Sequence, residues 1–397
     1  MSAARRTIGI LAVTQIVSWG ALYYAFAVLA PDIQRDLGIR AETAVAAFSW
    51  SLLVAGMTAT PIGALVDRHG GRYVMAAGSV VCAAGLAWLS RCSTTLSYFG
   101  AWTVIGLAMA LTLYEAAFAT INRKIAHGAP RAISTLTLFA GFASTIFWPL
   151  TLAIASRLGW RDTYLAYALL QLAVCLPLHL WLGRDAPHPP AAPDAPRDSH
   201  TLGEAVRHPA FWKLALAFSA NVFIFSALAV HLIPLLQTLG HTAATAVLLA
   251  ALVGPMQVAG RIGERTLARD AAPQLLGRFV FATLPFGLLV LALLGTRAWA
   301  VALFCLLYGM SNGVLTIIKG TLPRALFGAR HYGAIMGALA APSLLSKAAG
   351  PLVAAAILSG ASGATMLPLA LFGCAVASLL LYLSAVRPAQ APAATAA

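Results

Sequence analysis

The sequence contains few charged residues. Only 10% of its 397 residues are Asp, Glu, Lys or Arg, whereas 60% are hydrophobic, and a soluble globular chain carries about 25% charged residues. A large soluble core would still need a polar shell, so this deficit excludes an ordinary soluble protein. The composition predicts a polytopic protein that is embedded in a lipid bilayer.

Acidic residues are the scarcest of the charged types. The chain holds 12 Asp and Glu against 26 Lys and Arg, which gives a formal net charge of +14. A basic excess can indicate nucleic-acid binding, but Lys and Arg at the ends of membrane helices explain it better. We therefore expect no nucleic-acid partner.

Patterns typical of enzymes and metal sites are missing from the sequence. Its five cysteines are scattered singly, which fits neither a disulfide framework nor metal-ligand spacing. No nucleophile–base pair, phosphate-binding loop or metal cluster is visible. We expect a protein that is not an enzyme and uses no cofactor or metal.

Long apolar runs fill most of the chain. A helix needs about 20 apolar residues to cross a bilayer, and continuously apolar runs favour helices over barrel strands. The first run follows MSAARRT and is too long for a signal peptide, so we expect it to remain as a helix. Twelve transmembrane helices are predicted, at residues 7–30, 43–65, 73–90, 96–121, 132–156, 163–182, 212–236, 243–263, 275–294, 298–321, 331–358 and 364–386.

One linker divides these helices six and six. It holds six prolines and charges of both signs, which predicts an extended segment. Thr201 and Glu204 have the spacing of a capping box that would begin a short surface helix. The predicted organisation is an N-terminal half, a cytoplasmic linker with that helix, a C-terminal half and a disordered tail, at 1–182, 183–211, 212–386 and 387–397.

The distribution of Lys and Arg predicts the orientation. Counted with the N-terminus inside, the tails and even-numbered loops hold 18 of these residues and the opposite side holds six. Lys and Arg concentrate in cytoplasmic loops. We therefore expect both termini in the cytoplasm and the chain in the cell (inner) membrane.

The two halves contain related segments. Residues 63–68 match residues 260–265 at an offset of 197, and residues 148–150 match residues 350–352 at an offset of 202. Each pair lies on the same helix of its half, the second or the fifth. Together with the division of the helices, these matches indicate a duplicated chain.

A charged turn, GALVDRHGGR at residues 63–72, joins the second and third helices. It resembles the G-x-L-x-D-R-x-G-R-[RK] signature of the major facilitator superfamily, except that Gly71 replaces the first basic residue. The resemblance implies an all-α integral membrane protein with twelve transmembrane helices in two pseudo-symmetric six-helix halves, which works as a secondary transporter by alternating access. The gating residues implied by the signature and by its repeat are Gly63, Asp67, Arg68, Gly70, Arg72, Glu264 and Arg265.

Two interpretations of this turn stay open. A charge cluster at the cytoplasmic rim can latch the outward-open state and break as the halves part, and by resemblance Asp67 carries this latch. Alternatively, the charges only fix the topology of the loop.

Lys347 is the strongest candidate for a substrate-binding residue. An ionisable side chain inside the bilayer costs at least roughly 2.5–3.5 kcal/mol and is a functional candidate for that reason. Lys347 lies in the middle of the eleventh helix, in SLLSKAAGP. It resembles the membrane-embedded lysine that binds the substrate carboxylate in the oxalate/formate antiporters, which are related to the monocarboxylate transporters. The alternative is a lysine that pairs with a structural carboxylate or snorkels.

Arg261 ends the eighth helix in GPMQVAGR. The same two families place a substrate-binding arginine in a similar context. Here Gln257 occupies the position of an aspartate, which argues against a proton relay at that position. In the alternative interpretation, Arg261 belongs to the second copy of the gate.

Glu115 and Lys319 occupy near-equivalent places in the fourth and tenth helices, at an offset of 204. They could form an ion pair across a central cavity, or Glu115 could carry a coupled proton, because burial favours the protonated form of a carboxyl group. The alternative is that both lie near the cytoplasmic ends and are solvated.

An aromatic face runs along the first helix. Gln15, Trp19, Tyr23 and Phe26 follow helical spacing, and this face could stack a planar substrate or could only pack against lipid and protein. Further cavity candidates are Trp148 and Asn312.

The sequence as a whole favours a transporter of a small organic solute. The first substrate class is a carboxylate anion, and the alternatives are a planar aromatic nutrient such as a riboflavin-like vitamin, or efflux of drugs or metabolites. No nucleotide-binding motif is visible, so we expect an ion gradient or the substrate's own gradient to drive transport. Sodium and protons both stay open as the coupling ion, and the resemblance favours protons, the commoner choice of the superfamily. We expect a monomer as the working unit.

Overall fold

Helices are the only regular elements among the residues that the computed structural model describes, namely 3–125, 128–183, 199–268, 271–360 and 362–386. The predicted extended linker (184–198) and the predicted tail (387–397) lie outside the described residues.

Eleven helical stretches of the described residues are long and apolar enough to cross a membrane. The longest has 52 residues, which corresponds to about 78 Å of helix, more than twice the roughly 30 Å apolar thickness of a bilayer. Gly159 interrupts it with a non-helical backbone (φ 79°, ψ 171°), so this stretch makes two crossings. The predicted total of twelve is confirmed.

The twelve membrane helices are numbered here in chain order. The fifth and sixth are the two arms of the stretch that Gly159 divides. The full set is Ala4–Leu37, Glu42–His69, Gly71–Leu89, Thr95–Lys124, Ala129–Leu180 (two helices), Pro209–Thr238, Ala244–Leu267, Pro273–Leu294, Ala298–Phe327, Tyr332–Leu358 and Gly363–Ala385. Several helices continue past their predicted ends into polar residues such as Arg35 and Arg324, because an apolar run marks only the part of a helix inside the hydrocarbon.

The linker helix, Leu202–Arg207, begins with the predicted capping box. The Glu204 N–H donates to Thr201 Oγ1 over 3.3 Å, and the Thr201 N–H donates to Glu204 Oε2 over 2.7 Å. These bonds satisfy two donors that the first turn of a helix otherwise leaves unpaired. The seventh helix then starts at Pro209 rather than at 212, and proline suits the first turn of a helix.

The buried side chains form four clusters, two from each half of the sequence. Two clusters consist of residues between 10 and 182, and one of these two also contains Tyr332 and Met336 of the eleventh helix. The other two consist of residues between 205 and 386. Each half therefore has its own core, and the eleventh helix also packs on the core of the N-terminal half.

Among the described residues, five membrane helices depart from regular α-helical geometry near their middle, including the sixth, which has a π-helical turn at Gln171–Cys175. The first contains a π-helical turn, Gly20–Tyr24, and the fourth breaks at Leu113, which has an extended backbone. The fifth breaks at 141–142, and the eighth at Leu252. Irregular backbone at membrane depth is tolerated where it is buried in protein or lines a cavity, so these breaks point to the middle of the bundle.

Candidate functional site

Asp67 joins the two halves of the protein. Its carboxylate accepts hydrogen bonds from the backbone N–H groups of Gly333 (2.9 Å) and Ala334 (3.0 Å), in the first turn of the eleventh helix. The first N–H groups of a helix have no partner within it, and this end carries a partial positive charge. Asp67, from the N-terminal half, therefore caps a helix of the C-terminal half. We call this end of the bundle the Asp67 end.

Glycines allow the second and eleventh helices to touch beside this contact. A Cβ atom on Gly63 would collide with the carbonyl oxygen of Gly333, and one on Gly333 would collide with that of Gly63. One turn further on, a Cβ on Gly337 would collide with the backbone of Ala59. The glycine that opens the 63–72 turn is thus required by a backbone contact between the halves.

Glycine is required at positions 70 and 71 for two separate structural reasons. Gly70 ends the second helix with a φ of 82°, which favours glycine. A Cβ on Gly71 would collide with the side chain of Thr120 in the fourth helix. The departure of this chain from the signature therefore has a steric cause, because a basic side chain would not fit at position 71.

The two arginines of the turn, Arg68 and Arg72, are not the hydrogen-bond donors to the Asp67 carboxylate described above. Arg68 is exposed, and the Arg72 guanidinium lies over the Tyr73 ring, 5.2 Å from its centroid. Arg123 instead donates to the backbone oxygen of Asp67. The Asp67 carboxylate is thus bonded to the N-terminus of the eleventh helix, and it also interacts electrostatically with Arg123.

The repeat of this turn also joins the halves. Glu264, at the end of the eighth helix, accepts a hydrogen bond from the Ser134 hydroxyl of the fifth helix. Its neighbour Arg265 donates to the Thr135 hydroxyl. The two copies of the motif thus make related contacts at the same end of the bundle, the second to the eleventh helix and the eighth to the fifth.

A third contact marks the axis between the halves. Arg324 Nη1, in the tenth helix, donates to Asn122 Oδ1, in the fourth helix, over 2.7 Å. The two positions are 202 apart, which is the offset of the repeat. Equivalent positions of two related halves can touch only near the axis that relates them, so this axis passes between the fourth and tenth helices.

Lys347 contacts the N-terminal half in the interior of the bundle. Its Nζ lies 4.2 Å from the centroid of the Tyr23 ring, which is the geometry of a cation–π interaction. The contact joins the eleventh helix to the π-helical turn of the first helix. The structure thus brings together Lys347 and the aromatic face of the first helix, which supported two different substrate classes in the sequence.

Tyr23 belongs to a cluster of half-buried aromatic rings, which we call the aromatic cage. The Trp19 ring lies 5.4 Å from Tyr23 and 5.0 Å from Tyr114, and Tyr24 lies 5.3 Å from Tyr23 and 5.8 Å from Trp148, between centroids. Most of these pairs are tilted or edge-on, as aromatic pairs prefer. The cage consists of Trp19, Tyr23, Tyr24, Tyr114 and Trp148.

The other two members of the predicted first-helix face lie outside the cage. Gln15 is fully buried, and its Nε2 donates to the Thr112 carbonyl over 2.5 Å, just before the break in the fourth helix. Phe26 stacks on Phe48 at 4.6 Å within the core of the N-terminal half. Gln15 thus holds the break that presents Tyr114, and Phe26 contributes to packing.

Charged side chains surround the cage. Glu115, in the fourth helix, interacts electrostatically with Lys319 and Lys347, and the Lys319 ammonium lies 5.9 Å from the centroid of the Phe218 ring. Arg261 interacts electrostatically with Tyr24 and Tyr114. Among these described residues, two lysines lie near the one carboxylate, and Arg261 is a third cation beside the rings of the cage. The group therefore carries surplus positive charge.

Arg261 is more buried than Glu264 and Arg265 of its own helix. Only 7% of it is exposed, its Nε donates to the Gly313 carbonyl over 3.4 Å, and a Cβ on Gly141 would collide with its guanidinium. It thus fills the space beside the break in the fifth helix, whereas Glu264 and Arg265 make the contacts between the halves.

The remaining candidates lie on the same helices. Gln257 is half-buried, and its backbone packs against Gly313 in the tenth helix. Asn312 is half-buried beside that glycine, and Trp148 is 48% exposed at the edge of the cage. Sequence reasoning missed Tyr24 and Tyr114. Their one signal was proximity to other candidates, Tyr24 to Tyr23 and Tyr114 to Glu115.

Comparison with known proteins identifies the family. The family model of the Major Facilitator Superfamily matches residues 11–351, which confirms the resemblance. Monocarboxylate transporter 3 of Rattus norvegicus is 25% identical over 357 residues, which cover 82% of this chain and 68% of that protein. An uncharacterized 38 kDa protein in the 23S RNA operon of Thermoproteus tenax is 26% identical over 334 residues, which cover 82% of this chain and 81% of that protein.

Solved structures share the fold. The human organic anion transporter MFSD10 has a TM-score of 0.72 and 16% identity, over 96% of this chain and all of that one. The fucose:proton symporter FucP of E. coli has a TM-score of 0.74 and 14% identity, over 96% of this chain and 98% of that one. At these identities the similarity shows the fold alone.

Proposed function

The chain belongs to the major facilitator superfamily, and from this premise we propose that it is a secondary transporter of an organic carboxylate anion. The observation that carries the proposal is the contact of Lys347 with Tyr23, which joins the two halves beside a group with surplus positive charge. Alternating access needs a site that both halves share near the middle of the membrane. A ligand between Lys347 and the aromatic cage would touch both.

The charge balance favours an anion over a neutral or cationic solute. Lys319 and Lys347 share one nearby carboxylate, Glu115, and Arg261 adds a third cation beside Tyr24 and Tyr114. Unpaired charge inside a membrane protein is costly. A carboxylate ligand would supply the missing negative charge, whereas a cation would add to the imbalance. The names of two similar proteins agree with this class, since one is a monocarboxylate transporter and the other an organic anion transporter.

Glu115 suits a role in proton coupling. When its carboxylate is protonated, Lys319 and Lys347 lose their nearby negative partner, so the affinity of the site for an anion rises. By linkage, a bound anion favours the protonated form to the same extent. Proton and anion would then bind together and travel in the same direction. The fucose:proton symporter among the similar structures also couples solute to protons.

The contacts between the halves support a gate at the Asp67 end. Asp67 holds the eleventh helix, and Glu264 holds the fifth. If the excess of Lys and Arg places this end in the cytoplasm, the described conformation is closed on the cytoplasmic side. One of the similar structures is described as FucP in the outward conformation.

A ligand-binding experiment tests the proposed substrate class. The protein is purified in detergent, and its melting temperature is measured with lactate, benzoate, riboflavin and a cationic drug. A ligand that binds only the folded protein stabilises it by roughly 2.7 kcal/mol at a hundredfold excess over Kd. We expect stabilisation by a carboxylate that disappears in Lys347→Ala and persists in the control Lys213→Ala, whose lysine lies in the first turn of the seventh helix.

The opposite pattern would contradict the proposal. Stabilisation by riboflavin alone, kept in Lys347→Ala, would favour uptake of a neutral planar nutrient. Stabilisation by the cationic drug alone would favour a multidrug carrier.

A further inference from the structure

We infer that the carboxylate substrate carries an aromatic ring, and that the aromatic cage binds this ring while Lys347 binds the carboxylate. The inference rests on the proposed function and narrows its substrate class from organic anions to aromatic carboxylates. From the sequence alone, a site for an anion and a site for a flat aromatic solute were alternatives. In the structure, the residues of the two sites lie next to each other.

The composition of the cage is the first argument. Trp19, Tyr23 and Tyr24 come from the π-helical region of the first helix, Tyr114 from just after the break in the fourth, and Trp148 from the fifth. A short aliphatic acid needs the cation but not five rings contributed by three helices. Four of the rings are half-buried and Trp148 is exposed, so each ring keeps part of its surface outside the packing of the described residues.

The position of the charges is the second argument. Lys347 lies over one ring of the cage, while Arg261 interacts with two others, Tyr24 and Tyr114. A ligand ring stacked in the cage would therefore place a substituent within reach of a cation. When a carboxylate draws Lys347 away, the face of Tyr23 that the ammonium covers becomes free for the ring of the substrate.

An unpaired donor is the third argument. Trp19 Nε1 is buried, and no hydrogen-bond partner for it is found among the described residues. A buried N–H without a partner is destabilising. A ligand in the cage that presents a carboxylate oxygen or a ring face would satisfy this donor.

Four probe compounds distinguish the contribution of the ligand's aromatic ring to binding from the contribution of its charge. Benzoate and cyclohexanecarboxylate have similar size and the same charge at neutral pH, but only benzoate is flat and aromatic. Benzamide keeps the flat ring and loses the charge, and acetate keeps the charge and loses the ring. Binding of each probe to the full-length protein in detergent is measured by calorimetry. We expect benzoate to bind about 3- to 10-fold more tightly than cyclohexanecarboxylate, the range of a favourable aromatic pair.

Variants of the cage test whether its rings cause the preference for benzoate. Trp148→Leu and Trp19→Leu should reduce the ratio of benzoate to cyclohexanecarboxylate affinity toward one, while both still bind. The matched control is Trp299→Leu, which removes a 60% exposed tryptophan at the start of the tenth helix and should keep the ratio of the wild type. Because the readout is a ratio, a general loss of stability does not imitate the effect.

The outcomes distinguish this inference from the proposed function. Equal binding of benzoate and cyclohexanecarboxylate, or a preference that both cage variants retain, would overturn the inference and leave an anion carrier. Equal binding of benzoate and benzamide, or no binding of any carboxylate, would overturn the proposed function itself. Acetate binding as tightly as benzoate would show that the cage only shields a small anion, and this too would refute the aromatic substrate.

Discussion

Replacing Asp67 with asparagine should open the Asp67 end of the bundle without unfolding either half. The carboxylate accepts two N–H donors at the start of the eleventh helix. An asparagine has one amide oxygen to offer them, and its NH2 group would face the other donor. Each half keeps its own core, so the substitution acts on the contact between the halves.

The expected effect follows from the two hydrogen bonds. A bond to a charged group contributes about 1.5–3 kcal/mol and a neutral one about 0.5–1.5 kcal/mol, and the charge at a helix N-terminus adds roughly 0.3–1 kcal/mol. Losing one bond and weakening the other should cost the closed state about 2–4 kcal/mol. The ratio of closed to open molecules should then fall roughly 30- to 700-fold.

A distance measurement across the gate checks this prediction. Spin labels are placed on cysteines at Tyr73 and Leu267, which are 57% and 91% exposed and lie in different halves at the Asp67 end. Electron-resonance distances between them should lengthen in Asp67→Asn. Asp36→Asn is the matched control, because Asp36 accepts hydrogen bonds from Trp160 and Arg161 of its own half. If Asp67→Asn leaves the distances and the transport rate at their wild-type values, Asp67 is not a latch.

Three further predictions concern the second gate, coupling and packing. Glu264→Gln keeps an acceptor for its hydroxyl donor, so the same labels should show a smaller opening than in Asp67→Asn, about 1 kcal/mol; an equal or larger opening would refute this ranking. Glu115→Gln should make uptake into proteoliposomes independent of pH while anion binding persists, and retained pH dependence would exclude Glu115 as the proton carrier. Gly71→Ala should destabilise the protein by about 1–3 kcal/mol, because its Cβ collides with Thr120. Gly9→Ala, which meets nothing within 4 Å, should not destabilise, and equal melting temperatures of the two variants would contradict the steric explanation.

Features set by local chemistry could be predicted from the sequence. The twelve helices follow from apolar runs that match the thickness of a bilayer, and the capping box at Thr201 and Glu204 follows from a spacing of three residues. The resemblance predicts a gate at the 63–72 turn, and this role stays a prediction. The turn's actual partner, the backbone at Gly333, could not be deduced, because a contact with main-chain N–H groups leaves no mark on the side chain of the partner.

The aromatic cage shows why the rest of the site was missed. Regular helical spacing placed Phe26 on the same face as Trp19 and Tyr23. The π-helical turn Gly20–Tyr24 widens the helix there, so Tyr24 joins its neighbour Tyr23 in the cage and Phe26 turns into the core. A π turn depends on packing rather than on any residue type. The faces assigned from a regular helical period are therefore wrong for the residues that follow such a turn.

The eleventh helix connects the gate to the cage mechanically. At one end its Tyr332 hydroxyl donates to the Gly320 carbonyl of the tenth helix over 2.7 Å, and near the cage Ser226 of the seventh helix donates to the Lys347 carbonyl over 2.5 Å. The helix is thus held by its own half at both places. Its contacts with the other half, Asp67 to Gly333 and Lys347 to Tyr23, lie about 20 Å apart along the helix. We therefore expect a rocking motion of the C-terminal half that frees Gly333 from Asp67 to move Lys347 relative to Tyr23 as well, so that the proposed gate and the aromatic cage change in one movement.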